Sequence, residues 1–234
     1  MKSETEIRNW YEQRHQACGT DSWRPYEAYD PLLDKLGPLT PGGRFLDVGC
    51  GGTGFLLKAA LNRGLDAWGI DHSLAGVKIT RRVAPGTFSV VGNGQNLPFP
   101  DKLFDYLTCL GALEHFLDPG LGLQEMKRVL KDDGRLMIVV PNVNYFLWKL
   151  SGTPGTEQQE INEKLLSLAD WSYLFSENGL KIIKVDRDDW PISKTRTSPA
   201  ANPLKTAGRM LFRFAWKILP LSLTYQFVFR LKKK

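Results

Sequence analysis

A glycine-rich turn at residues 45–60, between an apolar run and a helix-forming segment, constrains the fold more than any other feature. The apolar run ends in Asp47, and Gly49, Gly51 and Gly54 follow it at the spacing of a dinucleotide-binding fingerprint. A strand, a tight turn and a helix start in this order place backbone N–H groups and a helix N-terminus where a nucleotide-like ligand binds. The stretch therefore predicts an α/β domain with such a site after its first strand.

Two acidic residues narrow the choice of ligand. Asp47 would repel a pyrophosphate strongly in a partly dry site, whereas its carboxylate suits the cationic amino group and sulfonium of S-adenosylmethionine. Asp71 ends the next predicted strand, residues 65–71, about 20 residues beyond the glycines, where a carboxylate accepts both ribose hydroxyls. The pair favours S-adenosylmethionine over a nicotinamide dinucleotide.

Five blocks between Phe45 and Asn142 follow one another in a recognisable order and spacing. They are the glycine turn at 45–54, the acid at 71, the loop and strand at 90–110, the segment 111–115, and the helix and strand at 123–142. The region resembles the class I S-adenosylmethionine-dependent methyltransferases, and residues 113–115 resemble their quinone-biosynthesis and other small-molecule branches. The resemblance implies a Rossmann-like fold: a doubly wound, mostly parallel seven-stranded α/β sheet with an antiparallel last strand.

The same resemblance implies S-adenosyl-L-methionine as cofactor and a set of residues that contact it. Asn93 and Gln95 stand where the family usually has acids, and an amide can both donate to and accept from an adenine edge. These two replacements also leave open a non-catalytic, cofactor-binding partner subunit. The implied set is Asp47, Gly49, Cys50, Gly51, Gly54, Asp71, His72, Asn93, Gly94, Gln95 and Leu110.

Two adjacent residues are candidates for proton transfer. His115 is the first candidate general base, because an ordinary histidine pKa near 6.5 lets it accept a proton at neutral pH. Glu114 is the second, and each residue also fits a purely structural role at a helix start. The Asn/Asp-Pro-Pro-Tyr/Phe segment typical of family members that methylate exocyclic nitrogens is absent after residue 110, which favours a hydroxyl or carbon acceptor.

Composition limits the other possibilities. With 234 residues, 42% of them hydrophobic, the chain can bury one sizeable core. Cys18, Cys50 and Cys109 are far apart and lack zinc-type spacing, so the sequence predicts neither a disulfide framework nor a metal site. The first six residues carry no apolar signal region, which predicts a cytoplasmic protein.

Charge is divided unevenly along the chain. After Asp189 there are ten basic residues and no acid, whereas the first 189 residues carry a net charge of −4. This pattern argues for a localised anionic partner and against nucleic acid. Lys205, Arg209, Arg213 and Lys217 recur every four residues, which predicts a basic amphipathic helix at 204–219 that either lies on an anionic membrane surface or docks on the domain.

The predicted organisation is one catalytic domain with three additions. Residues 1–36 form an N-terminal helical cofactor cover, and residues 37–234 form the methyltransferase domain. Within that domain we expect a lid at 143–163 on the ligand-binding edge of the sheet, and the basic helix at 204–219 before the last strand. The acceptor is expected to be a small molecule, a lipid-linked compound or a glycan. The oligomeric state stays open, and an NAD-type oxidoreductase is the less favoured alternative.

Overall fold

The computed structural model describes residues 2–19, 24–152, 155, 157–189, 210, 211 and 214–234. Within these residues the strands form one seven-stranded sheet in the order β3-β2-β1-β4-β5-β7-β6. Strands β1 to β5 pair in parallel, and β7 is antiparallel to both of its neighbours. The predicted doubly wound sheet with an antiparallel last strand is confirmed. The strands are β1 Arg44–Val48, β2 Asp66–Asp71, β3 Phe88–Val91, β4 Phe104–Leu110, β5 Leu130–Pro141, β6 Leu180–Arg187 and β7 Gln226–Lys233.

Helices lie on both faces of the sheet, and local sequence signals start several of them. Ser73 caps its helix through a 3.0 Å bond from the Gly76 amide, and Asp118 caps the helix in which Pro119 takes a first-turn position. Ser3 and Ser167 each form a capping box. The helices are α1 Glu4–Cys18, α2 Tyr29–Asp34, α3 Phe55–Asn62, α4 Leu74–Val83, α5 Pro119–Val129, α6 Phe146–Ser151 and α7 Leu168–Glu177, with 3₁₀ turns at Leu113–His115, Glu157–Ile161 and Leu221–Leu223.

The core lies on both sides of the central strands. Neighbouring residues on β1 point to opposite sides, so that Leu46 joins one apolar cluster and Phe45 joins the other. Residues 136–140 of β5 are all buried, as expected of a strand that helices cover on both faces. The rigid sheet holds the loops at its carboxyl edge, where α/β proteins bind ligands.

The first part of β5 is irregular. The strand begins at Leu130 and continues through Gly134. Leu130 pairs with Phe104 and Arg135 pairs with Tyr106, so the strand carries extra residues at an irregularity in the register. Two of the charged residues there form ion pairs: Lys131 with Asp105, and Asp132 with Lys102 and Lys233.

The two predicted additions in the C-terminal half differ in how far the structure describes them. The expected lid at 143–163 contains α6 and the 3₁₀ turn Glu157–Ile161. Of the expected basic helix, Lys205, Arg209 and Arg213 lie outside the described residues, so the basic stripe stays a prediction. Residues 214–218 are helical, with Lys217 exposed. No helix among the described residues is both long and apolar enough to cross a membrane.

Candidate functional site

A cavity of about 280 Å³ opens at the carboxyl ends of β1, β2 and β4, and α1 lies over it. Its volume is near the lower end of the roughly 300–1,000 Å³ typical of small-molecule sites. The structure brings nine of the residues predicted from sequence to this cavity, whereas four others do not line it. The nine are Gly49, Cys50, Gly51, Asp71, His72, Gly94, Gln95, Leu110 and His115; the four are Asp47, Gly54, Asn93 and Glu114.

The three glycines of the turn serve different purposes, although each has a positive φ. A Cβ on Gly49 would lie 2.5 Å from the Cβ of Ala112, so this glycine allows two loops to meet. A Cβ on Gly54 would lie 2.9 Å from the Cα of Thr80, so this glycine allows α3 to approach α4. The nearest atom to a Cβ on Gly51 would be the Gly49 backbone oxygen, at 3.7 Å, and Gly51 itself lines the cavity. Gly51 therefore leaves room for a ligand to approach the backbone.

Asp71 ties the end of β2 to the glycine turn. Its Oδ2 accepts a 2.8 Å bond from the Gly51 amide, and its Oδ1 accepts a 2.9 Å bond from the Ser73 amide. An ionised carboxylate has about four lone-pair sites, so both oxygens retain capacity for further donors. The group is thus held rigidly at the cavity wall with acceptors to spare, and His72 lies beside it.

Asp47 lies one layer behind the glycine turn. Its side chain is 4% exposed and accepts a 2.7 Å bond from the Thr108 hydroxyl. Burial raises the pKa of Asp47 to about 7, although the bond from Thr108 opposes the shift. The carboxyl does not line the cavity, so its contact with a cofactor amino group stays a prediction.

The two amides that depart from the family pattern hold the loop after β3 in place. Asn93 donates a 2.8 Å bond to Glu4 of α1 and accepts one of 2.8 Å from the Gln95 amide. The side-chain Oε1 of Gln95 in turn accepts a 2.7 Å bond from the Asp118 backbone amide. An acid at position 93 would face the carboxylate of Glu4, and two like charges so close repel. The amide is therefore what permits α1 to bond to this loop.

The cover formed by α1 includes cavity residues that the sequence-based site did not contain. Ile7, Tyr11 and His15 line the cavity from above. Glu12 fastens the helix by accepting a 2.7 Å bond from the Ser73 hydroxyl and a 3.0 Å bond from the Ala75 amide. The signal available in the sequence was the cluster of aromatic residues before position 30, which does not show which of them face inward.

Burial shifts the pKa values of the adjacent residues His115 and Glu114 in opposite directions. His115 is 4% exposed, its Nε2 lies 2.9 Å from the Gln158 Oε1, and burial lowers its pKa to about 4. The pKa of His115 in the fold thus lies below the ordinary value near 6.5, and its role as general base stays a prediction. Glu114 is 2% exposed, and burial raises its pKa to about 8. Gln158, in the predicted lid, lines the cavity and was not foreseen because it adjoins His115 only in the fold.

The charged residues that line the cavity favour a cationic cofactor over one with a pyrophosphate. Among the described residues that line it, Glu4 and Asp71 are acidic, and none is a lysine or an arginine. Burial lowers the pKa of His15, which favours its neutral form. A pyrophosphate would meet like charge without a basic partner, whereas the amino group and sulfonium of S-adenosylmethionine meet opposite charge. The glycine turn and Asp71 therefore fit that cofactor.

Comparisons with known proteins agree with this site. A methyltransferase domain family matches residues 46–138. An uncharacterized methyltransferase of Bacillus subtilis, YcgJ, is 31% identical over 172 residues, which are 69% of this chain and 66% of that protein. A demethylmenaquinone methyltransferase of Renibacterium salmoninarum is 36% identical over 107 residues, which are 46% of this chain and 44% of that enzyme. The chain thus spans about half to two thirds of the length of these relatives.

A solved structure supports the fold over the whole chain. A methyltransferase solved in complex with the Haloferax volcanii Trm112 methyltransferase activator superposes with a TM-score of 0.68 and covers 100% of this chain and 99% of its own. Its sequence identity is 19%, so the likeness is one of fold alone. The glycine turn, Asp71 at the end of β2 and the matched relatives agree: the chain belongs to the class I S-adenosylmethionine-dependent methyltransferases.

Proposed function

We propose that the protein transfers the methyl group of S-adenosylmethionine to a hydroxyl or carbon of a small-molecule, lipid-linked or glycan acceptor. The observation that carries this proposal is the acidic cavity, which no described lysine or arginine lines, beside the glycine turn and Asp71. The cofactor supplies a methyl group already activated by its sulfonium. The chain's main task is then alignment, which can supply roughly 7–11 kcal/mol of the barrier.

Each part of the cavity has a proposed task toward the cofactor. Asp71 accepts the ribose hydroxyls, and the turn at Gly49 to Gly51 lets the methionine part approach the backbone. His72, Gly94, Gln95 and Leu110 would enclose the adenine. The cover α1 limits the entry of water, because Tyr11 and His15 close the cavity from above.

The acceptor side supports a molecule with a polar group on an apolar body. Ile7, Phe116 and Leu117 supply apolar wall, while His115 and Gln158 supply polar atoms next to it. The relative from Renibacterium salmoninarum is named for methylation of demethylmenaquinone, which supports a quinone-like acceptor here. Hydroxyl or ring-carbon methylation of such a molecule fits both the cavity and the missing amine-methylation segment.

A lipid-soluble acceptor would also explain the C-terminal part of the chain. Phe214 is 63% exposed and Ile218 is 68% exposed, on either side of the exposed Lys217. Apolar and basic side chains on one short helix suit the interface of an anionic membrane. We therefore propose peripheral association with the cytoplasmic face of a membrane. Co-sedimentation with anionic vesicles at low salt tests it, and a parent protein that stays in the supernatant refutes it.

Two experiments, one after the other, test cofactor binding and then methyl transfer. Calorimetry with S-adenosylmethionine, with NAD as the comparison ligand, should show binding of the first only, and Asp71→Ala should weaken it at least tenfold because charged hydrogen bonds are lost at about 1.5–3 kcal/mol each. Labelled methyl transfer should then be screened over quinol, lipid and glycan acceptors. Binding without transfer to any acceptor would instead favour the non-catalytic partner subunit.

A further inference from the structure

The carboxyl group of Glu114 lies beside the cavity with an incomplete set of hydrogen bonds. Its Oε2 is buried and makes no hydrogen bond. Its Oε1 lies 3.7 Å from the position that a Cβ on Gly111 would take, and Gly111 lines the cavity. Buried polar atoms are nearly always paired, so an unpaired one marks a place where a ligand or a proton completes the bonding.

Titratable groups from several elements interact electrostatically with this carboxyl. Tyr11 comes from α1, Cys109 from β4, Tyr225 from the segment before β7, and Glu163 from the residues after the 3₁₀ turn Glu157–Ile161. None of these four groups is a cation that could hold a carboxylate in its charged form. Burial, with a smaller contribution from Glu163, accordingly raises the pKa of Glu114 to about 8, although a bond from its own backbone opposes the shift.

The neighbouring histidine is less suited to the same task. A general base works best when its pKa lies near the working pH. Burial lowers the pKa of His115 to about 4, so its ring holds a proton weakly at neutral pH. Its bond to Gln158 fixes the ring at the cavity wall, where it can orient an acceptor.

We propose that Glu114 takes the proton of the acceptor, and that binding of the cationic cofactor first converts it from a carboxylic acid to a carboxylate. This inference rests on the proposed function. An opposite charge within about 4–6 Å favours the ionised form of a carboxyl group. The acceptor O–H or C–H bond then breaks as its new bond to the methyl carbon forms. The electron pair of the S–CH₃ bond stays on sulfur, and the proton passes to Glu114, which later releases it to water.

Proton release on cofactor binding tests the first half of this proposal without any acceptor. Calorimetry in two buffers of different ionisation enthalpy, just below the pKa of about 8, counts the protons released. S-adenosylmethionine carries a sulfonium, whereas S-adenosylhomocysteine carries a neutral thioether. Binding of S-adenosylmethionine should therefore make the protein release roughly half a proton more per site. Glu114→Gln should abolish this difference while both affinities stay within a few-fold of the parent. His115→Asn is the matched control and should keep the difference.

The outcomes separate this inference from the function on which it rests. Equal proton release by the two ligands in the parent protein overturns the role of Glu114 while the methyltransferase proposal stands. A difference that persists in Glu114→Gln overturns it as well. Failure of both ligands to bind refutes the proposed function itself. If Glu114→Gln does not fold, Glu114→Asp should retain the difference, and its loss there while both ligands bind counts against the proposal.

Discussion

The contribution of Asp47 to stability should fall as the pH rises through the neutral range, because the fold buries this carboxyl group and favours its protonated form. Burial raises the pKa of Asp47 from 3.8 to about 7, so the folded protein holds this proton more tightly than the unfolded chain does. Between these two values the folded state binds more protons than the unfolded state, and stability decreases with increasing pH. The stabilisation that comes from the protonated Asp47 is fully present below the pKa of the unfolded chain, 3.8, and is lost once the pH has passed the pKa of the folded protein, about 7.

The size of the effect follows from the two pKa values. At about 1.4 kcal/mol per pH unit, the full difference is on the order of 4 kcal/mol, of which roughly 3 kcal/mol falls between pH 5 and pH 8. This is a large share of the roughly 5–15 kcal/mol that stabilises a typical domain. Glu114 adds a further loss of the same sign as the pH rises toward about 8.

Urea denaturation of the parent and of Asp47→Asn, each at pH 5 and at pH 8, measures how much the ionisation of Asp47 lowers the free energy of unfolding. The amide cannot ionise and can still accept the bond from Thr108, so the difference in unfolding free energy between parent and variant should change by roughly 3 kcal/mol from pH 5 to pH 8. Asp132→Asn is the control, because a bond from Lys102 lowers the pKa of Asp132 at the surface. A parent and an Asp47→Asn variant with parallel pH profiles would refute the reasoning.

Three further predictions follow from the glycine turn, the cover and the C-terminal helix. Gly51→Val should lower cofactor affinity more than tenfold and Gly54→Val much less, while both lower the melting temperature because both glycines have a positive φ, Gly54→Val more so because its side chain also meets the Thr80 backbone; equal losses of affinity in calorimetry would contradict this. Glu12→Ala should speed proteolysis of α1 and cofactor dissociation, since it removes the bonds to α4; unchanged rates would count against a closing role. Phe214→Asp should reduce vesicle co-sedimentation without changing cofactor affinity.

Local chemistry accounts for the parts of the protein that could be predicted from its sequence. Glycine spacing after an apolar run specifies a turn and a helix start within ten residues, and alternating strand and helix patterns specify the layered sheet. Gly49, Gly51, Asp71 and Leu110 reach the cavity because each follows or ends a parallel strand, and all those strands end at one edge. The antiparallel direction of β7 was expected instead from the resemblance to the methyltransferase family.

Burial and contacts between distant segments determine the features of the site that could not be predicted from the sequence. The pKa of His115 falls and that of Glu114 rises because both are enclosed by segments far away in the chain, and no pattern around residues 114–115 records that enclosure. The carboxyl group of Asp47 is held behind the turn by a hydrogen bond from the Thr108 hydroxyl, which lies on the neighbouring strand β4. The bond from Asn93 to Glu4 spans 89 positions. Such pairings arise when elements dock, so they depend on the folded arrangement and not on any single stretch of sequence.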